Sequence, residues 1–283
     1  MKKTKLIILI TVLAATYQIA ALLDRPGIYS NVPFSKKIEP RKINSIIIKE
    51  RERTVKIEKK NNIWFITEPL EYRGDSREVE NILDKLSQTK LFGPLTDKEK
   101  NYKRFEIYPD SSPFISLKAD KTVSFITGGG TQDLGGTFIK FADAKEVYEA
   151  KGIYPFDFKK TYEDFIYKRI METGEEETTG LHIKFQNIKY SDSKAQEKWV
   201  RPETKNFIDT LREINFSAIE KIEKKPDRYD LEIIIISPSG DERISFKKSR
   251  NYTAYKNGCK LAIDEPNSRK IDDLIKSLKS TRE

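Results

Sequence analysis

The chain has 283 residues, with 53 lysines and arginines against 44 acidic residues and a formal net charge of +9. That length suffices for two ordinary domains with separate cores, and the 37% apolar content falls in short alternating runs that a disordered chain lacks. One cysteine, Cys259, and one histidine, His182, exclude an intramolecular disulfide, a cysteine-based zinc site and a histidine metal cluster.

Lys2, Lys3 and Lys5 precede an uncharged run from Leu6 to Leu23. As a helix rising about 1.5 Å per residue it would reach roughly 27 Å, close to the thickness of a hydrocarbon core. A cationic start followed by an apolar body suits export. Ile19 and Ala21 make a poor cleavage site, and no cysteine follows to carry a lipid. The expectation is a retained signal-anchor over 1–23 in the inner membrane, contacting lipid through residues 6–23, with the bulk of the chain extracytoplasmic. Residues 24–42, proline-containing and charged, read as a spacer.

From residue 43 the pattern changes. Ile46 and Ile48, Val55 and Ile57, and Trp64 to Ile66 predict three strands, with Asn61-Asn62 as a turn. Val79, Ile82, Leu83 and Leu86 lie at helical spacing behind Ser76. Two hairpins follow, turning at Ala119-Asp120-Lys121 and Ala142-Asp143-Ala144. Residues 151–178 read as an aromatic, helical connector in which Phe158, Tyr162, Phe165 and Ile166 supply packing. The order then repeats. Leu181 stands as far before Trp199 as Ile46 stands before Trp64, a helix carries Phe207, Ile208 and Leu211, and hairpins turn at Pro238-Ser239-Gly240 and Asn257-Gly258. Ile271, Leu274, Ile275 and Leu278 predict a closing helix. The expected fold is therefore α+β, a tandem duplication of a small antiparallel sheet with one helix on a face. Its copies span 43–150 and 179–283.

The stretch FITGGGTQDLGGTFIKF looks most like an active site. A phosphate loop, however, needs a helix start after its last glycine, and a P-loop needs Lys-Ser or Lys-Thr there. Gly135 and Gly136 lead instead into the alternating Thr137, Phe138 and Ile139, and the G-x-G-x-x-G form is absent. Gly128, Gly129, Gly130, Gly135 and Gly136 then join two strands, as contact or structural positions with positive φ. Trp64 and Trp199, at matching places, read as core anchors over each helix. His182, between Leu181 and Ile183, points away from the apolar face. Paired carboxylates such as Glu175-Glu176-Glu177 and Asp272-Asp273 read as solvated faces. Lys100 to Phe105 interleaves basic and aromatic residues as nucleic-acid binders do, but the export signal argues against that partner. No catalytic, cofactor or metal site is predicted.

Several segments together resemble the domain-of-unknown-function family 4340, found in many bacterial envelopes. They are Trp64 to Pro69, the helix from Asp75 to Leu86, the strand pair Pro113 to Thr127, the glycine turn 128–136, Val147-Tyr148, and Asp164 to Arg169. Phe105-Glu106-Ile107-Tyr108 departs from the family's Tyr-Gly-Leu. The resemblance carries no established reaction or catalytic residue. It implies a membrane-tethered accessory of ABC-2-type transporters of the gliding and secretion kind, with transporter subunits as partners. The expected function is an extracytoplasmic interaction module serving such a system. A glycan- or peptidoglycan-binding protein using Trp64 or Trp199 is the alternative, and an enzyme ranks third.

Overall fold

The computed structural model describes residues 31–174 and 176–280. The anchor expected over 1–23 and residues 24–30 of the spacer lie outside them. Among the described residues no helix is long and apolar enough to cross a membrane. The described residues divide into two compact units, one of residues 31–69 and 76–165, the other of 70–75, 166–174 and 176–280.

In chain order the strands begin with β1 (Val32–Pro33), β2 (Ser45–Glu50), β3 (Arg53–Lys60) and β4 (Ile63–Glu68). The short β5 (Tyr72–Arg73) belongs to the segment grouped with the second unit. Helix α1 (Ser76–Gln88) precedes β6 (Lys90–Thr96), β7 (Phe114–Lys118), β8 (Thr122–Gly130), β9 (Gly136–Phe141) and β10 (Val147–Lys151). The second unit continues with β11 (Gly180–Phe185), β12 (Ile188–Ala195), β13 (Lys198–Trp199) and α2 (Pro202–Arg212). After these come β14 (Ala218–Lys221), β15 (Leu231–Ile236), β16 (Glu242–Lys248), β17 (Tyr252–Lys256), β18 (Cys259–Ala262) and α3 (Glu265–Ser280).

Within the first unit the strands lie in the order β1-β6-β10-β9-β8-β7-β2-β3-β4. The second unit forms an eight-stranded sheet ordered β13-β12-β11-β15-β16-β17-β18-β14. Read from its other edge, the second order matches the first element for element once β1 is set aside. β2, β3 and β4 answer to β11, β12 and β13; β6 answers to β14; and β7 to β10 answer to β15 to β18. All seven corresponding pairs are antiparallel.

Alternation places one face of each sheet on a core. In the first unit Val55, Ile48, Ile115, Phe125 and Phe141 are successive cross-strand partners, all buried. Helix α1 buries Val79, Ile82, Leu83 and Leu86, which its 3.6-residue period brings to one side. In the second unit a row of the same kind runs Phe185, Leu231, Phe246, Ala254, Leu261 and Ile219. The apolar stripes of α2 and α3 are buried there too. Fully burying a large aliphatic or aromatic side chain is worth about 1.5–3 kcal/mol, so rows of this length dominate the stability of each unit. The Asn61-Asn62 and Asn257-Gly258 turns have positive φ at both central residues, the conformation that fits a two-residue hairpin to strand twist.

Two segments differ from expectation. Residues 31–42 are part of the fold: β1 pairs with β6, and Phe34, Ile38 and Pro40 are buried. Phe34 meets Phe125 and Phe141 at ring-centroid distances of 5.6 and 6.1 Å. The charged residues that made this stretch look like a linker face solvent around those few apolar contacts. Among its described residues the connector's helical segments are two 3-10 turns, Pro155–Asp157 and Tyr162–Asp164. Asp157 accepts the Tyr154 N–H at 2.9 Å and Asp164 accepts the Thr161 N–H at 2.7 Å. Such local side-chain bonds close a short turn and compete with a continuing helix. Phe158 and Phe165 are buried in the first unit, and Ile166 begins the main body of the second.

Candidate functional site

The glycine stretch joins β8 to β9, as its sequence suggested, but its glycines do not have positive φ. Their role is close approach. A Cβ on Gly128 would lie 2.1 Å from the Phe105 carbonyl oxygen, and one on Gly136 would lie 2.1 Å from that of Ala150. Gly130 has only one neighbour, at 3.8 Å. The segment against Gly128 is the connection from β6 to β7, which crosses the sheet face opposite α1. There it buries Tyr102 and Ile107 against Ile126 and Val147, with Phe105, Phe114 and Phe138 alongside.

Between the strands, Asp133 organises the turn. Its carboxylate accepts from the Thr131 hydroxyl at 2.6 Å, the Gly135 N–H at 3.1 Å and the Lys151 ammonium at 2.8 Å. Lys151 and these hydrogen bonds hold its pKa well below the usual carboxylate range. Leu134, fixed at the tip with φ 56°, is 80% exposed. The Gly152 N–H donates to the Gly135 carbonyl at 3.2 Å. This brings the Tyr154–Phe156 ring stack, with Phe156 63% exposed, to the same end of the sheet.

Trp64 is fully buried, as expected of an anchor. Trp199 is only half-buried, in the two-residue β13, with the Lys194 ammonium 5.5 Å from its ring centroid. That edge strand is too short to enclose an indole. His182 is exposed on β11 and bonds Ser191 at 2.8 Å. Among the described residues no group of His, Cys, Asp or Glu is arranged to hold a metal ion.

Sequence reasoning missed a buried charged cluster in the second unit. The side chain of Lys256 is 2% exposed; its ammonium contacts Glu172 Oε1 at 2.5 Å, Glu242 Oε1 at 2.6 Å and the Ile170 carbonyl at 3.0 Å. Glu242 also accepts the N–H groups of Glu172 and Thr173 and the Thr173 hydroxyl. Tyr72 lies below the ammonium, at 5.9 Å, and packs edge-on against Phe216. Arg73 donates to the Glu172 carbonyl at 2.8 Å. The cluster therefore ties residues 70–73 and 170–173 to β16 and β17. Its chemistry is that of a clamp. The ammonium donates to Glu242 and the Ile170 carbonyl and pairs with Glu172 by charge alone, and burial pushes the Tyr72 hydroxyl and the Cys259 thiol upward in pKa. Burial would also raise the Glu242 carboxyl, but Lys256 and the donated hydrogen bonds outweigh it and hold the pKa below 4.5.

Alternation along β16 and β17 was the available signal. Glu242 shares a phase with Ile244 and Phe246, and Lys256 shares one with Tyr252 and Ala254, so opposite charges stand on the core face of adjacent strands.

Gly128→Ala and Gly136→Ala should each cost about 3 kcal/mol of stability or more in urea unfolding, with Gly130→Ala within about 0.5 kcal/mol of wild type. Lys256→Met should cost about 3–5 kcal/mol by leaving two carboxylates without their cation. The contribution of Glu242 is fully present above its ordinary pKa of 4.5 and is lost as pH falls through the lower folded value. Unfolding measured across that acid range should accordingly show a flatter pH dependence for Glu242→Gln than for wild type.

Neither a curated protein nor a solved structure matches the chain. The family model described as "Domain of unknown function (DUF4340)" matches residues 64–233. That match starts at Trp64 in β4, passes through the glycine turn, and ends in β15 of the second unit. It covers more than half of the sequence, and the chain belongs to the DUF4340 family.

Proposed function

We propose that the protein is a membrane-anchored, extracytoplasmic interaction module, an accessory component of an envelope ABC-type transport system. Its body is a tandem duplication of one sheet-and-helix unit, a reading supported by the matched strand orders. The uncharged run at residues 6–23 supports the anchor, and the envelope setting of family members supports the transporter as partner. The observation that carries the reading is Leu134. A large apolar side chain is held 80% exposed at the tip of a turn whose conformation is locked by Asp133, Thr131 and Lys151. A contact fixed before binding loses little entropy on binding, which is how a small surface gains affinity. The exposed Phe156 extends the same end of the unit with a second apolar group.

The test is affinity capture from solubilised membranes with the full chain as bait, identifying partners by mass spectrometry. Wild type should recover a membrane-transport subunit. Leu134→Asp should weaken that capture by about 2 kcal/mol, the scale of an interface hot spot, with its thermal unfolding unchanged. Equal recovery by the variant would remove the turn from the interface, and recovery of no transport subunit by wild type would overturn the reading.

A further inference from the structure

In the second unit the connection from β14 to β15 starts at one sheet edge and ends near the middle, passing β18, β17 and β16. Four strand spacings of about 4.8 Å must be covered, so residues 222–230 run across the face opposite the helices. Few contacts fasten the connection. The Ile222 N–H reaches the Gly258 carbonyl, the Asp230 N–H reaches that of Phe246, and Tyr229 meets Tyr255 at 5.4 Å. Between connection and sheet lies an open groove of about 370 Å³. Lys224, Lys225 and Asp227 line it from the connection, and Lys247, Tyr255 and Lys260 from the sheet.

Among the described residues no carboxylate lies within 4.0 Å of Lys224, Lys225 or Lys247; Lys260 alone is paired, to Glu220 at 3.3 Å. With β2 and β11 aligned at the spacing of the two tryptophans, the strand registers place Lys247 where the first unit has Gly128. The first unit packs its connection onto that glycine. The second puts a cation there and leaves the space open.

We propose that this groove binds the phosphate ester of a polyol, such as a glycerol or sugar phosphate. Like charges gathered in one groove repel, and a phosphate relieves that repulsion while taking hydrogen bonds from the ammonium groups. Asp227 would oppose a bare anion but accepts hydroxyl hydrogens from the polyol. The Tyr255 ring gives a flat wall against which the carbon skeleton packs. A groove of this size matches the lower end of small-molecule sites. The site is separate from the Leu134 contact and does not depend on it.

The experiment is calorimetry on the full chain in detergent at low salt, with glycerol 3-phosphate and inorganic phosphate as probes. Glycerol 3-phosphate should bind saturably, bind more tightly than inorganic phosphate, and weaken about tenfold in Lys225→Glu/Lys247→Glu. Those lysines are exposed, and the variant's thermal unfolding should match wild type. Asp227→Asn should narrow the gap between the two probes. Vesicles of mixed phosphatidylcholine and phosphatidylglycerol distinguish the source. Vesicle binding lost in the double variant assigns the phosphate to a lipid headgroup, whereas soluble binding alone assigns it to a free or polymer-borne ester. No saturable binding, equal binding by the double variant, or inorganic phosphate binding as tightly as the ester would overturn the proposal.

Discussion

Both units are governed by one topological constraint. With β1 set aside, β4 and β13 end one side of their units' strand orders, β6 and β14 end the other, and β7 and β15 lie back in the middle. The chain must therefore cross each sheet twice. The first crossing contains the helix, whose apolar stripe closes the core on one face. The second is a long connection over the other face, and the two units use it differently. In the first, residues 97–113 build a second apolar cluster around Tyr102 and Ile107, and Gly128 is bare because a carbonyl oxygen occupies the place of its side chain. In the second, residues 222–230 carry lysines over an open groove. Glycine and lysine at equivalent register positions are consequences of the same crossing.

The buried clamp around Lys256 belongs to the second unit and solves a different problem. Isolated backbone bridges join Gly74 to Ile166 and Arg169 to Asn215, and side chains from β16 and β17 fasten what those bridges leave, residues 72–73 and 172–173. One ammonium serving two carboxylates and a carbonyl does so at the cost of desolvating charge. The return is positional. Glu242 gathers two consecutive backbone N–H groups that would otherwise need partners of their own. A fully apolar contact could match the stability but could not satisfy those donors.

Much of this architecture was legible in the sequence. Alternating isoleucines marked β2, the Asn-Asn and Asn-Gly pairs marked their turns, and apolar spacing marked all three helices. The spacing of the tryptophans and the order of elements pointed to the matched strand orders of the two units. Strand neighbours were not legible, because period-2 patterning says which face a residue takes and nothing about which strand lies beside it. The glycines misled for that reason: Gly128 answers to a crossing segment more than twenty residues upstream and Gly136 to the neighbouring strand β10, where local turn chemistry offers no clue. Phe34 was hidden among charges, and the half-exposure of Trp199 follows from β13 having only two residues. Lys256 and Glu242 were recoverable, since strand phase alone puts both on the core face.

The contrast between the two crossings is open to direct measurement by amide hydrogen exchange on the full chain. In the first unit the N–H groups of Asn101, Glu106, Ile107, Ser111 and Ser112 all donate to backbone carbonyls. In the second, backbone bonds fasten the two ends of the connection, at Ile222 and Asp230. Strong protection across 101–112 together with fast exchange from 223 to 228 is the predicted result. Protection of 223–228 as strong as that of 101–112 would mean that the second connection is packed like the first, and would contradict the account.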